Sequence, residues 1–312
     1  MSPLVAILGP TGSGKSELAL ALAERFPGEI VNFDSIQVYR HFRIGAAKLT
    51  EAQRRGVAHH LIDILEPDEL FTAGEFARLA AGTVREVRDR GRLPILAGGT
   101  GFYLRALLDG LFAGPTRDEA LRRRLEFRSP ERLHRLLARL DPASASRIHP
   151  NDVHKMVRAL EVSIQARRPM TELFGQGRQA LEGFRILKIG LLPGRQALYE
   201  RLDRRAEQMF RSGLLDEVRQ ILARGWSPAV KPFESLGYRQ ALRHLRGELD
   251  LREAILDAQR QTRRFAKRQV TWFRREKDVA WLEGFGDDPE IQRQAQSLCA
   301  DHLGGSGPGG DL

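Results

Sequence analysis

Residues 7–16 read ILGPTGSGKS and match the pattern G-x-x-x-x-G-K-[ST] at every fixed position. In that pattern glycines let backbone N–H groups approach an anion. A lysine neutralises phosphate charge, and a hydroxyl opening the next helix reaches a magnesium ion. Gly9, Pro10, Thr11, Gly12, Ser13, Gly14, Lys15 and Ser16 are the expected phosphate loop, with Ser16 as the metal residue. The pattern does not name a reaction: ATP, a kinase nucleotide or another diphosphate would satisfy it. A second group, NFDSIQ, holds Asp34, Ser35, Ile36 and Gln37. Asp34 could be a general base facing a nucleophile, an outer partner of magnesium, or a turn carboxylate. The Gln37 amide can pair with the edge of an adenine. In a third group, GGTGFYLRALL, Thr100 follows two glycines. It could donate to a ligand at close range or simply close a packing turn. The fourth is RQTRRFAKRQVTWFRREK, with eight basic residues and one acidic between Arg260 and Lys277. Arg260, Arg264, Lys267, Arg268, Thr271 and Arg275 share a helical face, and Phe265 and Trp272 can anchor the other. A basic stripe on a packed helix is the footprint of a phosphodiester backbone, where a solvated face would mix signs more evenly. His59 and His60 have no evident metal partner and read as packing or hydrogen-bonding residues.

Strands and helices alternate through the first third of the chain. The apolar run at Leu4 to Leu8 reads as a strand entering the phosphate loop. The helix after it puts Leu18, Leu22 and Phe26 on one stripe. GEIVNFDS reads as a second strand and VAHHLIDIL as a possible third. A helix follows from about Ala73 to Arg90, then a strand after Pro94, a Gly-Gly turn and another helix. Such alternation predicts a right-handed, doubly wound parallel sheet, with ligands at the carboxyl ends of its strands. The loops at 9–16, 34–37 and 98–101 lie at such ends and should converge. After about Pro115 the chain becomes helical and charged, and Phe184 to Pro193 reads as a strand again. The expected organisation is a P-loop-type α/β core over 1–115 and a helical insertion over 116–182. Over 183–303 the core resumes with a helical C-terminal region, and 304–312 is a flexible GGSGPGG-type tail.

The 312 residues carry a net charge of +10, and 42% are hydrophobic, enough for a sizeable core. The basic balance, with a pI near 10.3, suits nucleic acid, an anionic membrane or acidic ligands. A single cysteine, Cys299, excludes a disulfide framework and a cysteine zinc cluster. No apolar run reaches the roughly 20 residues of a membrane span, and no signal peptide is evident. The expectation is a cytoplasmic protein, monomeric and without a membrane partner.

Taken together, GPTGSGKSELA, DSIQVYR, GAAK, HHLIDI, AGGTGFYLRALL, HPNDVHKMVRALEV, LGYRQAL and RRFAKRQVTWFR, in that order, resemble the bacterial tRNA dimethylallyltransferases, or tRNA isopentenyltransferases. The resemblance covers nearly the whole chain. That family moves a five-carbon prenyl group from dimethylallyl diphosphate to the exocyclic amine of the adenine just 3′ of the anticodon. The resemblance implies that the loop from Gly9 to Ser16 holds an isoprenoid diphosphate with Mg2+. The family often has Thr at position 16, and Ser keeps the hydroxyl. It implies that Asp34 takes the amine proton and that Lys15 and Arg205 stabilise the leaving group, with Arg204 as the neighbouring alternative to Arg205. It also implies contacts with the tRNA anticodon stem-loop from Asp34, Ser35, Ile36, Gln37, Thr100 and Arg122. Further contacts fall to His154, Lys155, Met156, Val157 and Arg158, to Tyr238 and Arg239, and to Arg263, Arg264, Lys267, Arg268 and Gln269. Glu234 departs from the family, because some relatives carry a base there. A P-loop kinase explains the loop but neither DSIQ nor the basic stripe. A non-enzymatic nucleic-acid binder leaves Lys15, Ser16 and Asp34 without a role.

Overall fold

The computed structural model describes residues 1–112, 114–174 and 179–304. Strand β1 (Ser2–Leu8) leads into α1 (Lys15–Arg25), followed by β2 (Gly28–Asn32), β3 (His59–His60), α2 (Ala73–Asp89), β4 (Leu93–Ala97) and α3 (Gly101–Leu108). The helices α4 (Glu119–Glu126), α5 (Pro130–Leu140), α6 (Pro142–Arg147), α7 (Val153–Ala166) and α8 (Met170–Phe174) come next. The chain continues through β5 (Phe184–Leu191), α9 (Arg195–Arg211), α10 (Leu214–Ala223), α11 (Tyr238–Leu245), α12 (Leu251–Phe273), β6 (Val279–Leu282) and α13 (Pro289–Gly304).

The sheet has six strands in the order β3-β2-β4-β1-β5-β6, and every pairing is parallel. Central strand β1 is sealed on both faces, with Leu4 to Leu8 fully buried, which is why it reads as a continuous apolar run. Its register sets Val5 beside Ile95 of β4 and Leu187 of β5. Val5, Ile7, Leu18, Leu22, Ile95, Ile189 and Cys299 belong to one core cluster. Burial pushes the Cys299 thiol up to about 12, so it packs as an inert hydrophobe. β6 was not anticipated: four residues between Asp278 and Glu283 carry too little pattern, and only pairing with β5 makes them a strand.

The chain divides into two compact units: 1–107 with 182–312, and 108–181. The helical unit thus starts at 108 rather than 116 and ends at 181 rather than 182. Leu125, Leu133, Leu137, Met156, Leu160 and Leu173 form its own core. α13 runs to Gly304, and the rest of the expected tail lies outside the described residues. Among the described residues no helix is long and apolar enough to cross a membrane.

Candidate active site

Helix α1 begins without a side-chain cap. Its N-cap, Gly14, is left-handed (φ 87°), and a Cβ there would lie 2.7 Å from the Gly286 nitrogen. Only glycine fits both demands. Among the described residues, the N–H groups of Gly12, Gly14, Lys15 and Ser16 donate no hydrogen bond. They form a cluster of unsatisfied donors at the positive end of a helix, the arrangement that binds phosphate. Thr11 is different: its N–H donates to Gln269 Oε1 at 2.8 Å. Ser13 is buried, with no partner for Oγ. Ser16 is exposed, and its hydroxyl makes no hydrogen bond among the described residues. Lys15 Nζ donates to the carbonyls of Gly9 (3.0 Å) and Pro10 (2.8 Å).

Asp34 stands two residues beyond β2 and is held from three sides. Its N–H donates to Asn32 Oδ1 at 3.0 Å, while Asn32 Nδ2 donates to the Leu61 carbonyl at 2.9 Å. Asp34 Oδ1 accepts from the N–H groups of Ile36 (2.8 Å) and Gln37 (3.3 Å). Oδ2 accepts no hydrogen bond among the described residues and is available for a proton. Thr100 closes the neighbouring loop: its N–H donates to the Phe33 carbonyl at 3.3 Å, and its Oγ1 accepts from Ser35 N–H at 3.0 Å. The loops after β1, β2 and β4 therefore meet. Gln37 donates its amide to the Ala46 carbonyl at 3.1 Å, where it braces the 36–46 loop.

Lys15 lies in the field of Asp34 and of Arg205. Burial pushes Lys15 down to about 7, Asp34 pulls it up, and Arg205 pushes it further down. Burial and Arg201 lower Arg205, and Asp34 raises it. A guanidinium stays charged under such shifts. Arg204, one residue away, is exposed on α9 and does not figure in these couplings. Of the two, only Arg205 acts on Lys15. A cavity of about 740 Å³ opens beside it, lined among others by Arg201, Arg204, Met209, Ile44 and Phe285.

Lys15 should reveal itself in proton uptake. With a pKa near 7 it is mostly neutral at pH 8, and a bound diphosphate stabilises its charged form. Binding inorganic diphosphate at pH 8 should then draw in about 0.9 of a proton at this site, and about 0.1 at pH 6. Calorimetry in buffers of different ionisation enthalpy reads this directly. Lys15→Arg, always charged, should lack the uptake; equal uptake in both proteins would mean that Lys15 does not titrate there.

Other expected site residues lie elsewhere. On α12 the buried face is Ala254, Ala258, Ala266, Gln269 and Phe273. Phe265 is half-buried under the Arg268 guanidinium (5.7 Å), and Trp272 under Arg105 (4.7 Å). Trp272 packs tightly against Gly101 with its Nε1 buried, as an anchor should, whereas Phe265 is only half-buried. The helix ends at Phe273, so Arg275 leaves the stripe. Arg260 pairs with Asp257 and Arg263 with Asp203, each at 2.6 Å. Arg264, Lys267 and Arg268 remain exposed and, among the described residues, have no carboxylate partner. Gln269 and Tyr238 are corrections: both are buried, and their side chains bond inside the protein. The Tyr238 hydroxyl donates to Glu217 at 2.5 Å and accepts from Gly45 N–H at 3.1 Å. Arg239 is exposed; Glu234 is exposed and pairs with Lys231.

In the helical unit, Met156 and Val157 are buried core residues, a second correction, because α7 turns them inward. His154 and Lys155 are exposed, Lys155 pairing with Asp152 at 2.5 Å. Arg122 and Arg158 flank the buried Glu161 at 3.1 and 2.7 Å. Sequence reasoning missed Asn32, the buried polar residue that ends β2 directly after the apolar pair Ile30 and Val31, which was the available signal. It also missed Gly286, whose N–H donates to the Ser13 carbonyl at 2.8 Å; the GFGDD turn after β6 was the hint.

The chain resembles known proteins along its length. A family model described as IPP transferase matches residues 37–276. A tRNA dimethylallyltransferase of Solibacter usitatus (strain Ellin6076) is 63% identical over 97% of this chain and 99% of its own. That of Koribacter versatilis (strain Ellin345) is 55% identical over 95% and 97%. The crystal structure of the full-length tRNA isopentenylpyrophosphate transferase of Bacillus halodurans matches with TM-score 0.74 at 36% identity, covering 98% of each chain. A eukaryotic dimethylallyltransferase acting on tRNA matches with TM-score 0.86 at 26% identity, over 100% of this chain and 82% of that one.

Proposed function

The chain belongs to the IPP transferase family of tRNA dimethylallyltransferases, and we propose that it moves the dimethylallyl group of dimethylallyl diphosphate to the N6 amine of the adenine immediately 3′ of the anticodon. The observation that carries the residue assignment is the placement of Asp34 and Arg205, both remote in sequence from the phosphate loop, close enough to Lys15 for Asp34 to raise its pKa and Arg205 to lower it.

The allylic C–O bond breaks, the C–N bond forms, and N6 loses one proton. An exocyclic amine is a poor nucleophile until a base takes that proton, and Asp34 Oδ2 is the acceptor. The departing diphosphate gathers negative charge. Lys15, Arg205 and the N–H groups of Gly12, Gly14, Lys15 and Ser16 stabilise it more in the transition state than before. Among the described residues no cluster of three His, Cys, Asp or Glu side chains could hold a metal alone. The free Ser16 hydroxyl next to a diphosphate suits Mg2+, which binds through few protein groups and through substrate phosphates. When bound, magnesium would neutralise charge on the leaving group. The adenine must leave its stack to reach the site. A tRNA substrate also supports a cytoplasmic location.

Labelled dimethylallyl diphosphate incubated with unmodified tRNA should yield N6-isopentenyladenosine and diphosphate. Phosphoryl transfer from ATP to a small molecule, with no labelled tRNA, would overturn the reading in favour of a kinase.

Arg264, Lys267 and Arg268 support a grip on stem phosphates. Phosphate contacts position a nucleic acid without reading its sequence. Lys267→Ala and Arg268→Ala should each weaken tRNA binding and flatten the slope of log affinity against log salt by about one unit. The modified base should stay the same. Unchanged affinity and slope in both variants would show that the stripe is only solvated.

A further inference from the structure

Gln269 lies next to Arg268 in the chain but about 100° round the helix, on the buried side of α12. It is 6% exposed. Its amide is used at both ends. Oε1 accepts from the Thr11 N–H and Nε2 donates to the Gly99 carbonyl, each at 2.8 Å. One side chain thus ties the phosphate loop to the Gly-Gly turn that precedes Thr100, and does so from the helix bearing the exposed basic residues. The fit is tight: a Cβ on Gly99 would lie 2.6 Å from Nε2. That contact gives a reason for glycine at a position whose φ does not require it.

We propose that Gln269 is a positioning residue for prenyl transfer, whose amide sets the phosphate loop and the 98–100 turn relative to each other and links both to the tRNA-gripping helix. Through Thr11 it fixes the start of the loop whose later N–H groups face the diphosphate. It also takes the Thr11 N–H out of the set of phosphate donors. Through Gly99 it fixes Thr100, which holds Ser35 beside Asp34. A tRNA that loads Arg264, Lys267 and Arg268 pulls on the same rigid helix. Donor loop, base loop and RNA grip therefore share one buried amide.

The inference rests on the prenyl-transfer reading, so its test includes a measurement that needs no tRNA. Affinity for inorganic diphosphate and for tRNA would be measured separately in wild type, Gln269→Ala, Gly99→Ala and the double variant, with melting curves as a check on folding. Losing a buried hydrogen-bonded partner should weaken diphosphate binding about 10-fold and raise KM for the prenyl donor in parallel. The tRNA affinity and its salt slope should hold. Gly99→Ala should have the same effect by displacing the amide, and the double variant should be no worse than the poorer single one. Gln269→Glu keeps the acceptor for Thr11 but sets a carboxylate oxygen against the Gly99 carbonyl and a negative charge beside the phosphate loop, so it should weaken diphosphate binding at least as much as Gln269→Ala. If Gln269→Ala fails to fold, the isosteric Glu variant carries the same comparison. Additive losses in the double variant would overturn the proposal. So would weaker tRNA binding with diphosphate affinity unchanged, which would make Gln269 an RNA contact. Failure of the wild type to modify tRNA would instead strike the functional reading.

Discussion

Asp34→Asn should transfer the prenyl group about 10²–10⁴-fold more slowly in single turnover while binding tRNA nearly as well as the wild type, because removing a general base costs rate rather than affinity. Asparagine is the sharper substitution. Its Oδ1 can still accept from the N–H groups of Ile36 and Gln37, so the turn that Asp34 closes survives. What disappears is the basicity of the other oxygen, which has no hydrogen bond to occupy it. Asp34→Ala removes the turn contacts as well and should be at least as slow and less stable. A near-normal single-turnover rate in Asp34→Asn would reduce Asp34 to a loop carboxylate.

Arg205→Ala should lower turnover by about 10²–10³-fold, the scale of losing one preorganised group at a developing negative charge. The effect should fall on kcat more than on KM for the prenyl donor, since the diphosphate gathers most of its charge as it leaves. Arg204→Ala, made alongside, should be mild, because that side chain is exposed and does not share the charge coupling of Arg205, Lys15 and Asp34. A raised KM with unchanged kcat would make Arg205 a ground-state contact. The full effect appearing in Arg204→Ala would move the role by one position.

The strand-end positions of the glycine-rich loop, Asp34 and Thr100 were legible because each depends on local chemistry. Glycine spacing, a lysine, a hydroxyl and strand ends report themselves within about ten residues, and strand–helix alternation then dictates a parallel sheet with its loops gathered at one edge. The overlap of motifs in order carried the family. Side-chain direction was not legible in the same way. Arg263, Arg264, Lys267, Arg268 and Gln269 were read together as tRNA contacts. Yet helical periodicity leaves Arg264, Lys267 and Arg268 in solvent, ties Arg263 to Asp203, and buries Gln269. Met156, Val157 and Tyr238 were misjudged for the same reason: a run of contact residues ignores which face a helix packs.

Composition and motif spacing were enough to specify the α/β class and to place the glycine-rich loop, Asp34 and Thr100 at strand ends, since each follows from residue type and short-range order. Tertiary structure alone decided that Arg205 rather than Arg204 shares a field with Lys15 and Asp34. It also decided that β6 completes the sheet and that Gln269 bridges Thr11 and Gly99. Those partners are 170 and 258 residues from Gln269 in the chain. Local pattern carries no information across such a separation; only the packing of α12 against the strand-end loops brings donor and acceptor to 2.8 Å.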